Sequence, residues 1–495
     1  MKEYDVIAIG TGVGLAFVSN ALNKGKKCAI IEKGKFGGTC LTRGCIPSKI
    51  LVQPADLIKQ SRRAKKIGIN IKEIDLDFDL ITKRMWKKIN LSNSMELSLH
   101  ERENLDIYKG IGEFVNNHTL KVKNEDNEYS EELHGNLVII ACGARSFVPN
   151  IQGLEETGYI TYETFYGDKF PKKPWKDLVI IGGGVIGCEF AHIFSSYGTK
   201  VTIVEMQDRL LPNEDKEISE FLLKQFGDHD IDVYINNVVV STSKNNQIKT
   251  VKVKNSITNR IEEISCEEII VATGVRSNID TLNIENTDVY VNKHGWVETD
   301  EYLETNVKNI YAIGDINGKF QFRHKANHEM FRAFNHIYNE KQIDKPVNYD
   351  HAAWAIYTYP QIAHLGLTER EAFVKYDKLL IGKLNYSQVA KGYAYGYETG
   401  DSDDGFVKLI LNTDMRIVGA HIIGPNAAIL IQPYVFLKST GCVCNLDGFK
   451  EYTDGLILEE DEYLFNPLQD AMIIHPSLNE LPGWAYRTLK LVERK

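Results

Sequence analysis

Asp5-Val6-Ile7-Ala8-Ile9-Gly10-Thr11-Gly12-Val13-Gly14-Leu15, answered by Cys28-Ala29-Ile30-Ile31-Glu32, decides the fold. A short apolar run enters a glycine turn, a helical stretch follows, and a second apolar run ends on an acid. That order is a βαβ unit. Its glycines let the backbone approach a pyrophosphate at a helix N-terminus, and its terminal acid accepts a hydrogen bond from a ribose hydroxyl. The unit therefore predicts dinucleotide contacts at Gly10, Gly12, Gly14 and Glu32. Leu15 stands where the third glycine is expected, which predicts slightly wider packing of helix on strand.

The pattern recurs. Leu178-Val179-Ile180-Ile181 leads into Gly182-Gly183-Gly184-Val185-Ile186-Gly187, a complete G-x-G-x-x-G, and Lys200-Val201-Thr202-Ile203-Val204 ends at Glu205. Two such units in order make a chance match improbable, and one chain with two dinucleotide sites can pass electrons between them. Gly182, Gly184, Val185, Gly187 and Glu205 are the second set of candidate contacts. A glutamate at this strand end pairs with a free 2′-hydroxyl and repels a 2′-phosphate, and no arginine follows it before Arg209, so NAD is expected rather than NADP.

The rest of the chain sets bounds. Its 495 residues suggest about three domains. With 43% hydrophobic and 25% charged residues it is an ordinary globular composition, not a disordered one. A net charge of −9 gives no general attraction for nucleic acid or anionic membranes. No apolar run approaches a membrane span and no signal peptide is read at the N-terminus, so a soluble, cytoplasmic protein is expected. Eight cysteines are too few for a disulfide scaffold. From about residue 346, segments such as Gly405–Leu411 and Ile417–Gly424 read as antiparallel strands of an α+β unit. Residues Thr440 to Pro467 read as an irregular, acidic insertion.

The most informative segment for chemistry is Gly37-Gly38-Thr39-Cys40-Leu41-Thr42-Arg43-Gly44-Cys45-Ile46-Pro47-Ser48-Lys49. In one regular helix Cys40 and Cys45 would lie about 7.5 Å apart along the axis, too far for a disulfide. Bonding requires a bend, which Gly44 permits. Pro47 suits the first turn of a new helix, which leaves Cys45 near its positive end, where a thiolate is favoured. Two inert buried cysteines and half of a zinc site are the competing readings, although zinc wants closer spacing and a second ligand pair.

This segment resembles the redox-active motif of the class I pyridine nucleotide-disulfide oxidoreductases, the flavoenzymes that include dihydrolipoamide dehydrogenase, glutathione reductase, mycothione reductase and mercuric reductase. The likeness spans nearly the whole chain. Thr305–Asp315 resembles the second FAD motif, Val271-Ala272-Thr273-Gly274 the strand returning from the NAD domain, Tyr359–Ala363 with Gly366–Glu369 the start of the dimerisation domain, and His475–Glu480 the catalytic His-Glu segment. The resemblance implies an α/β fold of two Rossmann-like dinucleotide-binding domains, for FAD and NAD, with a C-terminal α+β dimerisation domain. The expected limits are 1–148 and 275–345 for the FAD domain, 149–274 for the NAD domain and 346–495 for the interface domain, with the insertion at about 440–467.

The same resemblance implies roles. Cys45 would be the sulfur facing the flavin and Cys40 the one exchanging with substrate. Lys49 and Glu189 would pair beside the flavin. His475, held by Glu480, would be the acid–base catalyst in the partner subunit's site, making a homodimer the working unit. Lys33, Gly38, Thr39, Lys49, Gly143, Gly314 and Asp315 join the FAD contacts, and Gly274 joins the NAD contacts. No metal is expected.

Within the family, Val185–Glu189 and Val204-Glu205-Met206 look like dihydrolipoamide dehydrogenases. Gly424–Pro433 and Ile474-His475-Pro476 look closer to mycothione reductase. No cysteine follows Cys444, which argues against mercuric reductase. The implied substrate is a small dithiol or disulfide, or a lipoyl-carrying protein. Reduction of another low-molecular-weight disulfide and an NADH oxidase activity are the alternatives. Thr42-Arg43 replaces the usual Asn-Val, and Arg43 is either a reader of an anionic substrate or a surface side chain. Cys442 and Cys444 are a candidate auxiliary dithiol or, more simply, unpaired thiols. Tyr393, Tyr395 and Tyr397 read as packing, and Glu459–Glu462 as a solvated face.

Overall fold

The computed structural model describes residues 1–338, 345–440, 468 and 471–494. Its first sheet contains β1 (Lys2–Ile9), β2 (Cys28–Glu32), β3 (Leu105–Lys109), β4 (Ile111–Asn116), β5 (Thr119–Lys123) and β6 (Leu133–Ile140), in the order β3-β2-β1-β6-β5-β4. β1 runs parallel to both β2 and β6. Side chains alternate across a strand, so Val6 and Ala8 enter one core with Phe17 and Ile30, while Ile7 and Ile9 enter another with Val138 and Ile140. Both faces are covered, which is why the strand reads as an unbroken apolar run.

The chain leaves this sheet through β7 (Ala144–Ser146) and builds a second parallel sheet. That sheet is formed by β8 (Asp177–Ile181), β9 (Lys200–Val204) and β10 (Ile231–Tyr234). An antiparallel sheet follows, of β11 (Asn237–Asn245), β12 (Ile248–Asn255) and β13 (Ile261–Cys266); β14 (Glu268–Val271) then completes the parallel order β10-β9-β8-β14. The return runs through β15 (Val275–Ser277), antiparallel to β7 with Val275 opposite Ser146. β16 (Ile310–Ala312) then joins the first sheet beside β6.

The last unit is one antiparallel sheet of β17 (Ala353–Ile356), β18 (Ile362–Gly366), β19 (Lys378–Asn385), β20 (Phe406–Leu411), β21 (Ile417–Ile423) and β22 (Lys490–Glu493), in the order β17-β18-β21-β20-β19-β22. Two nucleotide-type parallel units and one α+β unit match the expected fold class. The expected insertion, with Cys442, Cys444 and Glu459–Glu462, lies outside the described residues.

Two helices position the chemistry. The helix Cys45–Arg63 packs Leu51, Val52 and Ala55 against Cys188, Phe190, Ala191 and Phe194 of the helix Val185–Ser196 in one apolar cluster. From Gly187 to Ser196 every residue of the second helix is buried. The redox segment and the second glycine turn are thereby carried on two helices that share a core. Among the described residues, no helix is long and apolar enough to cross a membrane.

Candidate active site

The first glycine turn lies where β1 ends. Gly10 adopts φ +101°, and a Cβ there would come within 2.4 Å of the Ala141 carbonyl oxygen. Gly38 is left-handed at φ +66°, and its Cβ would meet the Gly12 Cα at 2.6 Å. These glycines are therefore required by close backbone approach. Gly14 fits against the methyl groups of Ala141 and Ala8, so it provides the close helix–strand contact expected of the position held by Leu15. Glu32 closes the unit: its Oε2 accepts from the Thr11 amide at 2.9 Å and the Thr11 hydroxyl at 2.5 Å, and its Oε1 from the Gly34 amide at 2.8 Å.

Gly10, Thr11, Gly12 and Glu32 wall a cleft that is also lined by Lys33, Gly38, Thr39, Cys40, Cys45, Gly143, Gly314 and Asp315. Segments far apart in sequence meet here because β6 and β16 are neighbours in one sheet. Gly314 and Asp315 are set from behind. Glu329, fully buried, accepts from the Gly314 amide at 2.7 Å and the Asn317 side chain at 2.8 Å, and pairs with Lys325 at 2.9 Å. Burial pushes the Asp315 carboxyl up to about 6 against the pull of Lys325. A carboxyl so placed is suited to a hydroxyl donor entering the cleft. The glycine cradle, the strand-end acid and this carboxyl together fit a flavin dinucleotide.

Cys40 lies in the short helix Gly38–Thr42, and Cys45 opens the helix Cys45–Arg63, with the bend at Arg43-Gly44 between them. Both cysteines are thiols here. The two sulfurs act as one pair: a hydrogen bond between them, with Arg323 and Lys49 nearby, eases loss of the first proton, and burial with the like charge of the first thiolate resists loss of the second.

Lys49 and Glu189 meet as the helix packing dictates. The Lys49 ammonium donates to both Glu189 oxygens at 2.9 and 2.8 Å, and the Tyr357 amide donates to Glu189 at 3.0 Å. Lys49 also sits 4.3 Å from the Tyr357 ring centroid. Arg43 stands in the cleft wall and pairs with Glu163 at 3.7 Å. Both side chains stay partly exposed, so both expected roles of Arg43, reader of an anionic substrate and surface side chain, stand beside this geometry.

The second turn repeats the first. Gly182 has φ +110°, and a Cβ there would lie 2.4 Å from the Ala272 carbonyl oxygen; at Gly187 it would lie 2.0 Å from the Gly182 oxygen. Glu205 accepts from the Gly183 amide at 2.6 Å and the Gln207 amide at 2.7 Å. Arg209 donates to the Pro212 carbonyl. Gly184 is open on its Cα side, and Gly274, left-handed at φ +115°, follows β14. Val185 begins the helix at the turn.

His475 and Glu480 do not join the cleft. They form their own pair, His475 Nδ1 to Glu480 Oε1 at 2.8 Å, with the Ser477 amide fixing the other carboxylate oxygen at 3.0 Å. The imidazole is 66% exposed while Glu480 is buried. Of the tyrosine group, only Tyr397 is core, packed under the Arg63 guanidinium at 3.7 Å; Tyr393 and Tyr395 are exposed.

Sequence reading missed Ala141, Asn278 and Arg323, which also line the cleft. The first had a signal: Ala141-Cys142-Gly143 and Ala272-Thr273-Gly274 repeat an Ala-x-Gly that backs each first glycine.

Comparisons with known proteins agree with this geometry. The family model described as pyridine nucleotide-disulphide oxidoreductase matches residues 4–329, and the dimerisation domain of the same description matches 352–449. A dihydrolipoyl dehydrogenase of Bacillus subtilis is 33% identical over 87% of this chain and 90% of its own length. One from Chlamydia pneumoniae is 31% identical over 87% of this chain and 89% of its own. Among solved structures, the Cu(II) complex of the HOCl-induced flavoprotein disulfide reductase RclA from Escherichia coli superposes with a TM-score of 0.81 at 25% identity, covering 99% of each chain.

Proposed function

The chain belongs to the pyridine nucleotide-disulphide oxidoreductases, and from that premise we propose that it passes electrons between NAD(H), FAD, the Cys40–Cys45 pair and an external dithiol or disulfide, in the manner of a dihydrolipoamide dehydrogenase. One observation carries the reading: Cys40 and Cys45 open into the same cleft as Gly10, Gly12, Glu32 and Asp315. Flavin and nicotinamide nucleotide are the cofactor classes of the family. FAD is favoured by a dinucleotide cradle that continues to Asp315, and NAD by Glu205, with Arg209 committed to a backbone carbonyl. The proposed domain limits are those expected from sequence.

A bound flavin supplies a two-electron relay between nicotinamide and disulfide. The chain's own groups do the rest. Gly10, Gly12, Gly14, Lys33, Gly38, Thr39, Gly143 and Gly314 shape or line the flavin cradle, and Glu32 and Asp315 orient its hydroxyls. Gly182, Gly184, Val185, Gly187, Glu205 and Gly274 do the same for the nicotinamide nucleotide. Lys49 holds its charge beside the redox pair because Glu189 compensates it. Cys45 is the inner sulfur. Cys40 is the exchanging one, and the pair's eased first proton loss suits it to attack a disulfide. The departing sulfur takes a proton from His475 Nε2, since Nδ1 is occupied by Glu480. An exposed imidazole backed by a buried carboxylate supports service to the cleft of a second subunit, and the dimerisation domain supports a homodimer as the working unit.

A substrate panel tests the assignment. Dihydrolipoamide with NAD is compared with NADH consumption on lipoamide, glutathione disulfide, coenzyme A disulfide and Cu(II), the last because the related Escherichia coli reductase has been solved with it. The lipoyl couple is expected to turn over fastest, with a long-wavelength thiolate–flavin band on NADH addition that Cys45→Ser abolishes. A faster rate on another disulfide reassigns the substrate; no band and only oxygen consumption overturns the disulfide reading. Alkylation of the reduced protein by iodoacetamide should rise about tenfold per pH unit below pH 7 and level off above it, following the first proton loss of the cysteine pair.

A further inference from the structure

We infer that Glu214, His364 and His421 form a binding site for one divalent cation of the zinc class, joining the second nucleotide-binding unit to the C-terminal sheet. Glu214 lies in the loop that follows β9. His364 on β18 and His421 on β21 are cross-strand partners. All three side chains are buried, and one ligand atom from each lies within 4.8 Å of the others. A tetrahedral zinc site places its ligand atoms about 3.3 Å apart, and Glu214 Oε2 is already 2.9 Å from His364 Nδ1.

The surroundings are those of oriented metal ligands. His364 Nε2 faces the Gly366 carbonyl at 2.8 Å, and His421 Nε2 faces the Leu367 carbonyl at 3.0 Å. The Trp354 indole donates to Glu214 Oε1 at 2.7 Å. Each ligand is thus held from behind by a hydrogen bond; His364 Nδ1 and Glu214 Oε2 are hydrogen-bonded to each other at 2.9 Å, and a cation would take the place of the proton between them. Donation from Nε2 leaves a lone pair on His421 Nδ1, and that buried nitrogen has no partner. A purely hydrogen-bonded trio leaves it unsatisfied; a cation satisfies it.

The charge is also suitable. The neighbouring ammonium of Lys408 is compensated by Asp215 and Glu217, each at 2.9 Å, and by Glu369 at 2.6 Å. A cleft walled by Glu214, His364 and Trp354 borders the trio on one side. The site is separate from the cysteine pair and stands independently of the substrate assignment.

The test uses the flavin-loaded enzyme with Cys40 and Cys45 oxidised, so that no dithiol competes, and Co2+ as the probe. One equivalent per chain is expected by elemental analysis, with visible bands of tetrahedral cobalt and no sulfur charge-transfer band. His421→Asn and Glu214→Gln should each weaken binding at least tenfold with flavin content and circular dichroism unchanged, while Cys40→Ser binds as before. If one variant fails to fold, the other decides. No stoichiometric cobalt, cobalt retained in the folded variant, or cobalt lost in Cys40→Ser overturns the site.

Discussion

The two glycine turns are built alike at their first glycine and at the strand-end acid, and differ in what packs over them. Gly10 and Gly182 both lie under the carbonyl of an alanine that ends the neighbouring strand, Ala141 and Ala272. Beyond that, the first turn is covered by its own chain: Gly38 presses on Gly12, and the Gly37 amide donates to the Thr11 hydroxyl at 3.1 Å. The second turn is covered at Gly183, where the Leu210 side chain presses and the Leu211 amide donates to the Gly183 carbonyl at 2.9 Å, while Gly184 faces open space. On the proposed assignment the first turn would hold the flavin, and the second, with Gly184 open, the nicotinamide nucleotide.

The largest effect should come from removing the tolerance for the cover over the first turn. Gly38→Val combines a left-handed φ, which costs about 1–3 kcal/mol for a non-glycine residue, with collision against Gly12. The protein should purify with little flavin, measured by the ratio of flavin to protein absorbance. Gly187→Ala should sharpen the contrast by striking the other turn. Its Cβ meets the Gly182 oxygen, so the KM for NADH should rise about tenfold or more, equivalent to at least 1.4 kcal/mol, while flavin content stays stoichiometric. Glu205→Gln keeps an acceptor for the Gly183 amide, removes the charge and loses the acceptor that faces the Gln207 amide. The preference for NADH over NADPH should narrow about tenfold, the scale of one charge–charge contact near a protein surface, read as the ratio of kcat/KM values. Leu15→Gly is the smallest. Gly14 already provides the close contact, so flavin affinity should stay within about twofold, and stability should fall by somewhat more than the roughly 1 kcal/mol of helix propensity, because half-buried Leu15 also packs against the core, seen as a lower Tm.

The nucleotide units were legible because their reasons are local. A glycine at a required left-handed φ, an acid at a strand end and an apolar run covered on both faces each leave a mark within thirty residues. The cysteine bend was legible for the same reason, through Gly44 and Pro47. What sequence could not show depends on long-range packing. Arg43 reads as an isolated cation, and only the fold brings Glu163 beside it. The eased first proton loss of the Cys40–Cys45 pair depends on a hydrogen bond between the sulfurs and on Arg323 nearby, which spacing does not specify. Glu214 and His364 are 150 residues apart, and their juxtaposition follows from the loop after β9 meeting β18, so no motif announced it.

The chain's exit from the first sheet and its return form a single small ladder, with Ala144 opposite Ser277 and Ser146 opposite Val275. The unit between is fastened twice more, by the core it shares with the Cys45–Arg63 helix and by Glu214 and Asp215 reaching His364 and Lys408 of the last sheet, so a swapped nucleotide-binding module would have to rebuild those contacts as well as the ladder.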